Sequence, residues 1–259
     1  MKCLEESPYK LACMEVWGGN RSTAESVDLP GLFGWVYSYP LGPSTGGGDV
    51  HYLSVCNKGI LSRVVVADVS GHGQAVNSVA ERLRVLIHKH INTWDQSALM
   101  REINEAFHKD RTGIEYATAN VLGFHLQSGC LLFTNAGHLP PLWYHAAEGK
   151  WDLLEDNTPR ATRVDGLPLG IIPLTEYRQT AVQLGLMDLL VLYTDGITEV
   201  VDEAGDELGE ERLLELVNVC PVESPLTTGK ALLAAVQVFQ GSALACDDQT
   251  LVVLQRTET

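Results

Sequence analysis

The chain has 259 residues, of which 45% are apolar and 20% charged, so its length and composition suit a folded protein with a substantial core. Its 33 acidic and 18 basic side chains give a formal net charge of −15. Because a nucleic acid or an anionic membrane requires a basic face that neutralises phosphates, this charge argues against both kinds of partner.

The first 30 residues carry weak secondary-structure signals. Glycine, asparagine, serine, threonine and proline are frequent in residues 17–30, which predicts a loop. Strand signals begin at Leu32, and no linker interrupts the chain after it. We therefore interpret residues 1–30 as an N-terminal lead-in segment and residues 31–259 as one domain.

Strands and helices are predicted in groups that do not alternate one for one. Runs rich in β-branched and aromatic residues predict strands at Leu32–Leu41, Val50–Cys56, Leu61–Val69, Tyr116–Leu126, Cys130–Ala136, Leu142–His145, Arg178–Leu184, Asp188–Thr194 and Thr250–Leu254. Apolar residues at three- and four-residue steps predict helices around Val76–Ile87, Gln96–His108, Glu210–Asn218 and Pro225–Gln240. A parallel sheet would require alternation, so the grouping indicates an α+β fold of antiparallel sheets with helices packed outside.

The six cysteines and the N-terminus indicate a cytoplasmic protein. No two cysteines form a Cys-x-x-Cys pair, so a zinc site of thiolates is not expected and free thiols are. The N-terminus has no apolar stretch typical of a signal peptide. No window approaches the roughly 20 apolar residues that a membrane-spanning helix needs.

Four aspartates stand at or next to the ends of predicted strands. Asp49 follows three glycines, Asp68 ends a run of valines, Asp195 follows a nearly continuous apolar run, and Asp247 precedes the last strand. Each segment alone is also an ordinary turn signal, and Asp68 alone is equally typical of a helix start. Several such strand ends brought together would form an oxygen cage, which suits magnesium or manganese.

Five motifs lie in a fixed order over about Leu32 to Gln255. They read Gly47-Gly48-Asp49, Asp68-Val69-Ser70-Gly71-His72-Gly73, Asn135-Ala136-Gly137-His138-Leu139-Pro140-Pro141-Leu142, Tyr193-Thr194-Asp195-Gly196-Ile197-Thr198-Glu199 and Asp247-Asp248-Gln249-Thr250. In this order they resemble the PPM-type metal-dependent protein phosphatases, in particular the bacterial SpoIIE/RsbU branch. The resemblance implies two packed antiparallel β-sheets flanked by helices, a four-layer αββα sandwich.

The resemblance also implies an activity and its ligands. It implies hydrolysis of phosphoserine and phosphothreonine with two divalent cations, manganese or magnesium. The family's metal-ligand aspartates correspond to Asp49, Asp68, Asp195 and Asp247, and Val69 takes the place that offers a backbone carbonyl. Asp68 and Asp195 are the candidate catalytic residues. Two cations would lower the pKa of a shared water and screen the phosphate charge, so that water attacks phosphorus directly.

Two histidines mark departures from the broader family. Ser70 occupies the place of a histidine suspected as general acid, and we interpret His72 two residues later as a residue of a glycine turn. His138 stands where the broader family has an aspartate that can hold a third metal. We favour a structural turn role for His138, with a role as ligand as the alternative.

Further departures concern the metal site and the phosphate. Tyr52 replaces a second aspartate that is frequent in the bacterial branch, which predicts weaker metal binding or lower activity. No arginine is identified as the phosphate-binding one, although Arg21 and Arg63 are available.

Three functions are compatible with the sequence. The first is a phosphatase acting on a phosphorylated protein of a bacterial signalling pathway, such as an anti-sigma-factor antagonist, with activation through a homodimer or a regulatory partner. The second is a regulatory or binding module of the same fold with weak or no catalysis, which the Tyr52 replacement would favour. The third is a metal-dependent hydrolase of small phosphate esters. Because surface loops select the substrate, the sequence does not separate the first from the third.

Overall fold

The computed structural model of the chain describes residues 8–13, 15–41, 46–71, 74–91, 93–110, 113, 115–154, 166–245 and 247–258. Within these residues the strands are β1 (Tyr9–Lys10), β2 (Val16–Gly19), β3 (Thr23–Leu29), β4 (Leu32–Tyr39), β5 (Val50–Cys56), β6 (Leu61–Val69), β7 (Ala117–His125), β8 (Cys130–Ala136), β9 (Leu142–His145), β10 (Lys150–Leu153), β11 (Thr180–Gln183), β12 (Leu189–Tyr193) and β13 (Gln249–Arg256). The helices are α1 (Gln74–His90), α2 (Gln96–Asp110), α3 (Asp195–Thr198), α4 (Gly209–Asn218) and α5 (Pro225–Gln240).

The strands form two sheets. The seven-stranded sheet has the order β1-β3-β4-β13-β12-β9-β10, and the six-stranded sheet has the order β11-β8-β7-β6-β5-β2. Among the described strands, β1 and β3 pair in parallel, and all other pairs are antiparallel. This topology confirms the predicted α+β fold with two antiparallel sheets.

Three layers of buried apolar side chains hold the elements together. One layer lies between α1, α2 and the six-stranded sheet. The second lies between the two sheets, and the third lies between the seven-stranded sheet and α4 with α5. The described elements therefore stack as helices, sheet, sheet and helices, which confirms the four-layer αββα arrangement.

Strand β6 shows how the sequence builds these layers. Val64 and Val66 belong to the core between the sheets, whereas Val65 and Ala67 belong to the core under α1 and α2. Successive side chains of a strand alternate between its faces, so Asp68 follows Val64 and Val66 onto the face between the sheets. A continuous apolar run, buried on both faces, thus ends in a carboxylate between the two sheets.

Residues 17–30 do not form the loop that the composition predicts. They contain most of β2 and all of β3, which pairs with β4 from Thr23 opposite Ser38 to Leu29 opposite Leu32. Only Val27 and Leu29 of β3 are buried, so the apolar alternation is confined to its last residues. The loop prediction is therefore wrong, while the domain boundary at residue 31 stays a prediction.

Three short elements were also not predicted. Strand β1 pairs with β3, strand β10 pairs with β9 across a tight turn, and α3 is one turn of helix beginning at Asp195. In the described ranges, every helix is too short or too polar to cross a lipid bilayer.

Candidate metal centre

The core between the sheets changes from apolar to polar at one end. On β13, the buried aliphatic side chain of Val252 is two residues from the fully buried hydroxyl side chain of Thr250. Leu192 of β12 is likewise two residues from the fully buried hydroxyl side chain of Thr194. On β6 the same spacing separates Val66 from Asp68. Residues two apart on a strand share a face, so these side chains form one polar layer at this end of the sandwich.

Asp49 is held in this layer by residues of the opposite sheet. The Thr194 hydroxyl donates to Asp49 Oδ2 at 2.7 Å, and the Thr250 N–H donates to Thr194 Oγ1 at 3.0 Å. Asp49 is only 3% exposed. Burial raises the pKa of Asp49 well above its ordinary value, and the charges of Asp68 and Asp248 add to this, while hydrogen bonds from Thr194 and Thr250 oppose it. Protein groups alone therefore compensate the charged form of Asp49 poorly.

Asp68 and Asp195 form a pair of carboxyl groups between the two sheets. Their side chains share a hydrogen bond. Burial raises the pKa of Asp68 to about 8, and the charges of Asp195, Asp247 and Asp248 add to the increase. Burial also raises the pKa of Asp195, although hydrogen bonds from the Gly196 N–H and from Asp68 oppose the increase. Carboxyl groups this close favour sharing a proton when no cation lies between them.

The turn before β13 brings two more carboxylates to the same place. Asp247 Oδ1 accepts the N–H of Asp248 at 2.8 Å. The two oxygens of the Asp248 side chain accept the backbone N–H groups of Leu41 and Gly48. Asp248 therefore fixes the glycine segment that leads directly to Asp49.

Glycines allow the segments around these carboxylates to approach closely. A Cβ atom on Gly47 would lie 2.2 Å from Asp248 Oδ2, and one on Gly196 would lie 1.9 Å from the Asp248 carbonyl oxygen. Real Cβ contacts essentially never fall below 3.0 Å. The Asp195-Gly196 pair of the sequence therefore serves to pack the start of α3 against the turn that carries Asp247 and Asp248.

The four predicted aspartates share this end of the sandwich. The cluster, here called the acidic cluster, comprises Asp49, Asp68, Asp195 and Asp247, with Asp248 as a fifth member. Val69, the predicted carbonyl ligand, follows Asp68 on β6, and its N–H donates to the Gly48 carbonyl oxygen at 3.3 Å. The roles of these residues as ligands stay a prediction.

The acidic cluster has the donor atoms of a site for hard dications. All of its side-chain donors are carboxylate oxygens, which magnesium and manganese prefer. In the described part of the chain, no basic side chain forms an ion pair with Asp49, Asp68 or Asp195. No three acidic, histidine or cysteine side chains in that part are arranged so that they could hold a metal ion. The chemistry of the donor atoms therefore fits hard dications, but binding an ion requires these side chains to move from their present positions.

His138 lies beside the acidic cluster without facing it as a ligand. Its Nε2 atom is 3.0 Å from the Tyr193 carbonyl oxygen, and its Nδ1 atom is 2.6 Å from Thr118 Oγ1. Both ring nitrogens are thus engaged with protein groups. This arrangement agrees with the structural role favoured from the sequence, whereas His72 lies outside the described residues.

Tyr52 does not occupy a place in the acidic cluster. Its side chain belongs to the core under α1 and α2, and its hydroxyl accepts a hydrogen bond from Arg84 Nε at 3.2 Å. Asp49 is three positions away and faces the opposite side of the strand. An aspartate at position 52 would therefore face α1, so the replacement by tyrosine removes no oxygen from the cluster.

Neither arginine named in the sequence analysis is seen to contact the acidic cluster. Arg63 is fully buried and donates to the carbonyl oxygens of Ile91, Thr93 and Trp94, where it anchors the end of α1. Arg21 is exposed in the turn that follows β2. Arg63 is therefore a structural cation, because its guanidinium group is occupied far along β6 from Asp68.

Residues 61–257 match the SpoIIE family, described as Stage II sporulation protein E. This chain belongs to the SpoIIE family. Two curated proteins of Bacillus subtilis (strain 168) are similar to it. The phosphoserine phosphatase RsbP is 26% identical over 141 residues, which cover 52% of this chain and 33% of RsbP. The phosphoserine phosphatase RsbU is 25% identical over 194 residues, which cover 74% of this chain and 55% of RsbU. The chain thus spans less than two thirds of each relative.

Solved structures show the same fold as this SpoIIE-family chain. The RsbU and RsbW domains of a Mycobacterium tuberculosis protein match with a TM-score of 0.73 and 24% identity, covering 90% of this chain and 62% of that one. The catalytic domain of the serine/threonine phosphatase PstP, solved with two manganese ions, matches with a TM-score of 0.58 and 17% identity, covering 88% and 99%. At these identities the likeness shows the fold alone.

Besides Asp248, sequence reasoning missed Asn20, which fixes this part of the SpoIIE-family fold. Asn20 Nδ2 donates to the Gly47 carbonyl oxygen at 3.0 Å and to Asn77 Oδ1 at 2.9 Å, and its Oδ1 accepts from Arg84 Nη1 at 2.9 Å. The side chain is almost fully buried, although its local sequence is typical of an exposed turn. Only the pairing of β2 with β5 places Asn20 beside the glycine segment, so no local signal would have found it.

Proposed function

We propose that this chain is a metal-dependent serine/threonine protein phosphatase of bacterial signalling. The observation that carries the proposal is the acidic cluster, in which burial and mutual repulsion raise the pKa of Asp49, Asp68 and Asp195. A protein retains such a destabilising arrangement where function requires it. Membership of the SpoIIE family and the two relatives named phosphoserine phosphatases support the choice of reaction.

Two magnesium or manganese ions would be held by the acidic cluster. The proposed ligands are the side chains of Asp49, Asp68, Asp195 and Asp247 and the carbonyl oxygen of Val69. When bound, two such ions supply an activated water and screen the negative charge of a phosphate monoester. Asp68 and Asp195 lie at the centre of the cluster, so they are the proposed catalytic aspartates. The PstP structure with two manganese ions supports two as the number.

The residues around the ligands hold them in place before a substrate arrives. Thr194 and Thr250 orient Asp49, and the Asp248 carboxylate accepts hydrogen bonds from the backbone N–H groups of Leu41 and Gly48. The Gly196 N–H donates to Asp195 at the first turn of α3. Donors and charges that are fixed in advance cost no rearrangement during the reaction, which is how an enzyme site gains over water.

The proposed substrate is a phosphorylated regulatory protein. Exposed tyrosines flank the acidic cluster: Tyr39, 55% exposed, pairs with Gln249 beside Asp248, and Tyr116, 39% exposed, exchanges hydrogen bonds with Ser70. Exposed aromatic side chains are typical of protein-binding surfaces, which favours a protein over a small phosphate ester.

Partner and location follow from the same proposal. We propose an anti-sigma-factor antagonist as the phosphoprotein, a homodimer or regulatory partner as the source of activation, and the cytoplasm as the location. The two relatives named phosphoserine phosphatases support a substrate that carries phosphoserine.

Hydrolysis assays with and without metal test this function. We expect p-nitrophenyl phosphate and a phosphoserine peptide to be hydrolysed in the presence of manganese, with loss of turnover on adding EDTA or in Asp195→Asn. The control is Asp152→Asn, an exposed aspartate of β10. Turnover that survives both treatments would contradict the proposal. A folded chain that binds manganese without turnover of either substrate would support the binding-module alternative.

A further inference from the structure

His138 is held rigidly in its loop. The ring is 8% exposed, with Nδ1 2.6 Å from Thr118 Oγ1 and Nε2 3.0 Å from the Tyr193 carbonyl oxygen. The His138 N–H donates to Asn135 Oδ1 at 2.9 Å, and Asn135 Nδ2 donates back to the His138 carbonyl oxygen at 2.8 Å. Backbone and side chain are therefore both fixed by hydrogen bonds.

These contacts determine which ring nitrogen of His138 carries the proton. A carbonyl oxygen only accepts hydrogen bonds, so Nε2 must donate its hydrogen to Tyr193. The Thr118 hydroxyl then donates to the unprotonated Nδ1. Burial lowers the pKa of His138 to about 4, which keeps the imidazole in this neutral form near neutral pH.

The two hydrogen bonds of the ring end beside the two halves of the acidic cluster. Thr118 lies directly opposite Asp68 in the pairing of β7 with β6. Tyr193 ends β12 in the other sheet, two residues before Asp195. His138 therefore spans the gap between the sheets at the level where the Asp68–Asp195 pair forms.

Apolar contacts alone do not fix this gap. Away from the acidic cluster, the layer between the sheets consists of aliphatic and aromatic side chains, whose attraction has no preferred direction. Hydrogen bonds do have a preferred length and angle, so a donor and an acceptor on opposite sheets set their spacing.

We propose that His138 is a positioning residue that sets the distance between Asp68 and Asp195 by tying β12 to β7 through its Nε2–H form. The inference rests on the proposed metal site, and it excludes His138 as a ligand of a third ion. Residues that orient ligands without touching the metal commonly affect metal affinity about 10- to 100-fold.

Thermal unfolding of the EDTA-treated chain against manganese concentration tests the proposal. We expect His138→Leu to raise at least about tenfold the manganese concentration that produces a fixed increase in melting temperature, here called the manganese midpoint. His138→Gln should stay within about threefold of the unmodified chain, because its amide can still donate to Tyr193 and accept from Thr118. The control is Asn104→Leu, a fully buried amide of α2 whose hydrogen bonds go to residues 170–173 on the outer side of the six-stranded sheet.

Each outcome of this titration decides one question. If the unmodified chain shows no stabilisation by manganese, the proposed metal site itself fails. If the chain is stabilised but His138→Leu has an unchanged midpoint, or glutamine is no better than leucine, the positioning role is wrong. An equal change in Asn104→Leu would show a general loss of stability and would also overturn it.

The tautomer offers a test that does not depend on how the variants fold. Long-range ¹H–¹⁵N spectra of the unmodified chain distinguish the two neutral forms of each of its eight histidines, and the spectrum of His138→Gln assigns the His138 signals. We expect an Nε2–H imidazole at pH 7, both without metal and with magnesium, which is diamagnetic. An Nδ1–H imidazole, an imidazolium, or a change of form on adding magnesium would overturn the inference.

Discussion

Replacing Asp68 by asparagine should stabilise the metal-free chain and remove its response to metal. Burial and the neighbouring carboxylates raise the pKa of Asp68 from its ordinary 3.8 to about 8. Between these values the folded state binds more protons than the unfolded state, so the stability of the fold decreases as the pH rises through this window. Asparagine has nearly the same shape and no charge, and it therefore avoids this cost.

The stabilisation expected for Asp68→Asn follows from this difference in pKa. A pH of 7 lies roughly three units above the pKa of Asp68 in the unfolded chain, and about 1.36 kcal/mol per unit gives a stabilisation of up to about 4 kcal/mol. For a chain of this size that corresponds to an increase of about 10 °C in the melting temperature in EDTA. Manganese at about 100 times its dissociation constant should stabilise the unmodified chain by about 2.7 kcal/mol, and Asp68→Asn far less.

A second buried aspartate provides the matched control. Asp188 is 5% exposed, and its side chain accepts hydrogen bonds from Trp143 Nε1 at 3.0 Å and from the N–H groups of Ala146 at 2.8 Å and Gly185 at 2.7 Å. Asp188→Asn should therefore destabilise the chain and leave the manganese response intact. Calorimetry of both variants measures this. A destabilised Asp68→Asn in EDTA, or a manganese response equal to that of the unmodified chain, would refute the reasoning.

Three further variants and one control separate the metal site from its surroundings. Gly196→Ala places a Cβ atom 1.9 Å from the Asp248 carbonyl oxygen and should abolish stabilisation by manganese. The control Gly19→Ala, whose new Cβ atom has its nearest contact 3.8 Å away, should keep that stabilisation, and thermal shifts compare the two variants. Arg63→Met leaves three carbonyl oxygens without their donor and should cost about 3 kcal/mol or more in urea unfolding, with an unchanged manganese midpoint. Tyr52→Phe loses one hydrogen bond and should lower the free energy of unfolding by about 1 kcal/mol. Because the Tyr52 side chain faces away from the acidic cluster, a tenfold shift of the manganese midpoint in this variant would contradict that orientation.

The central strands and the positions of the candidate ligands could be predicted from the sequence. Strands β6 and β12 are apolar runs buried on both faces, and such runs are recognisable without a structure. Because each run stops at or just before an aspartate, the location of Asp68 and Asp195 at the rim of a sheet followed directly. The family resemblance then supplied the pairing of these rims, which periodicity alone did not.

The elements that were missed depend on contacts between distant segments. Most outward side chains of β3 are polar, so its sequence differs little from that of a loop. Asn20 and Asp248 act through backbone groups far along the chain, for example between Asp248 and Gly48. Such hydrogen bonds leave no periodic trace in a sequence, and only the register of the strands reveals them.

Anomalous diffraction from crystals soaked in manganese would show whether the acidic cluster holds two dications. We expect two manganese peaks within the acidic cluster, bounded by Asp49, Asp68, Asp195 and Asp247, with the hydrogen bond between Asp68 and Asp195 broken. Saturating manganese that leaves no peak between these side chains, or peaks found only elsewhere on the surface, would contradict this expectation.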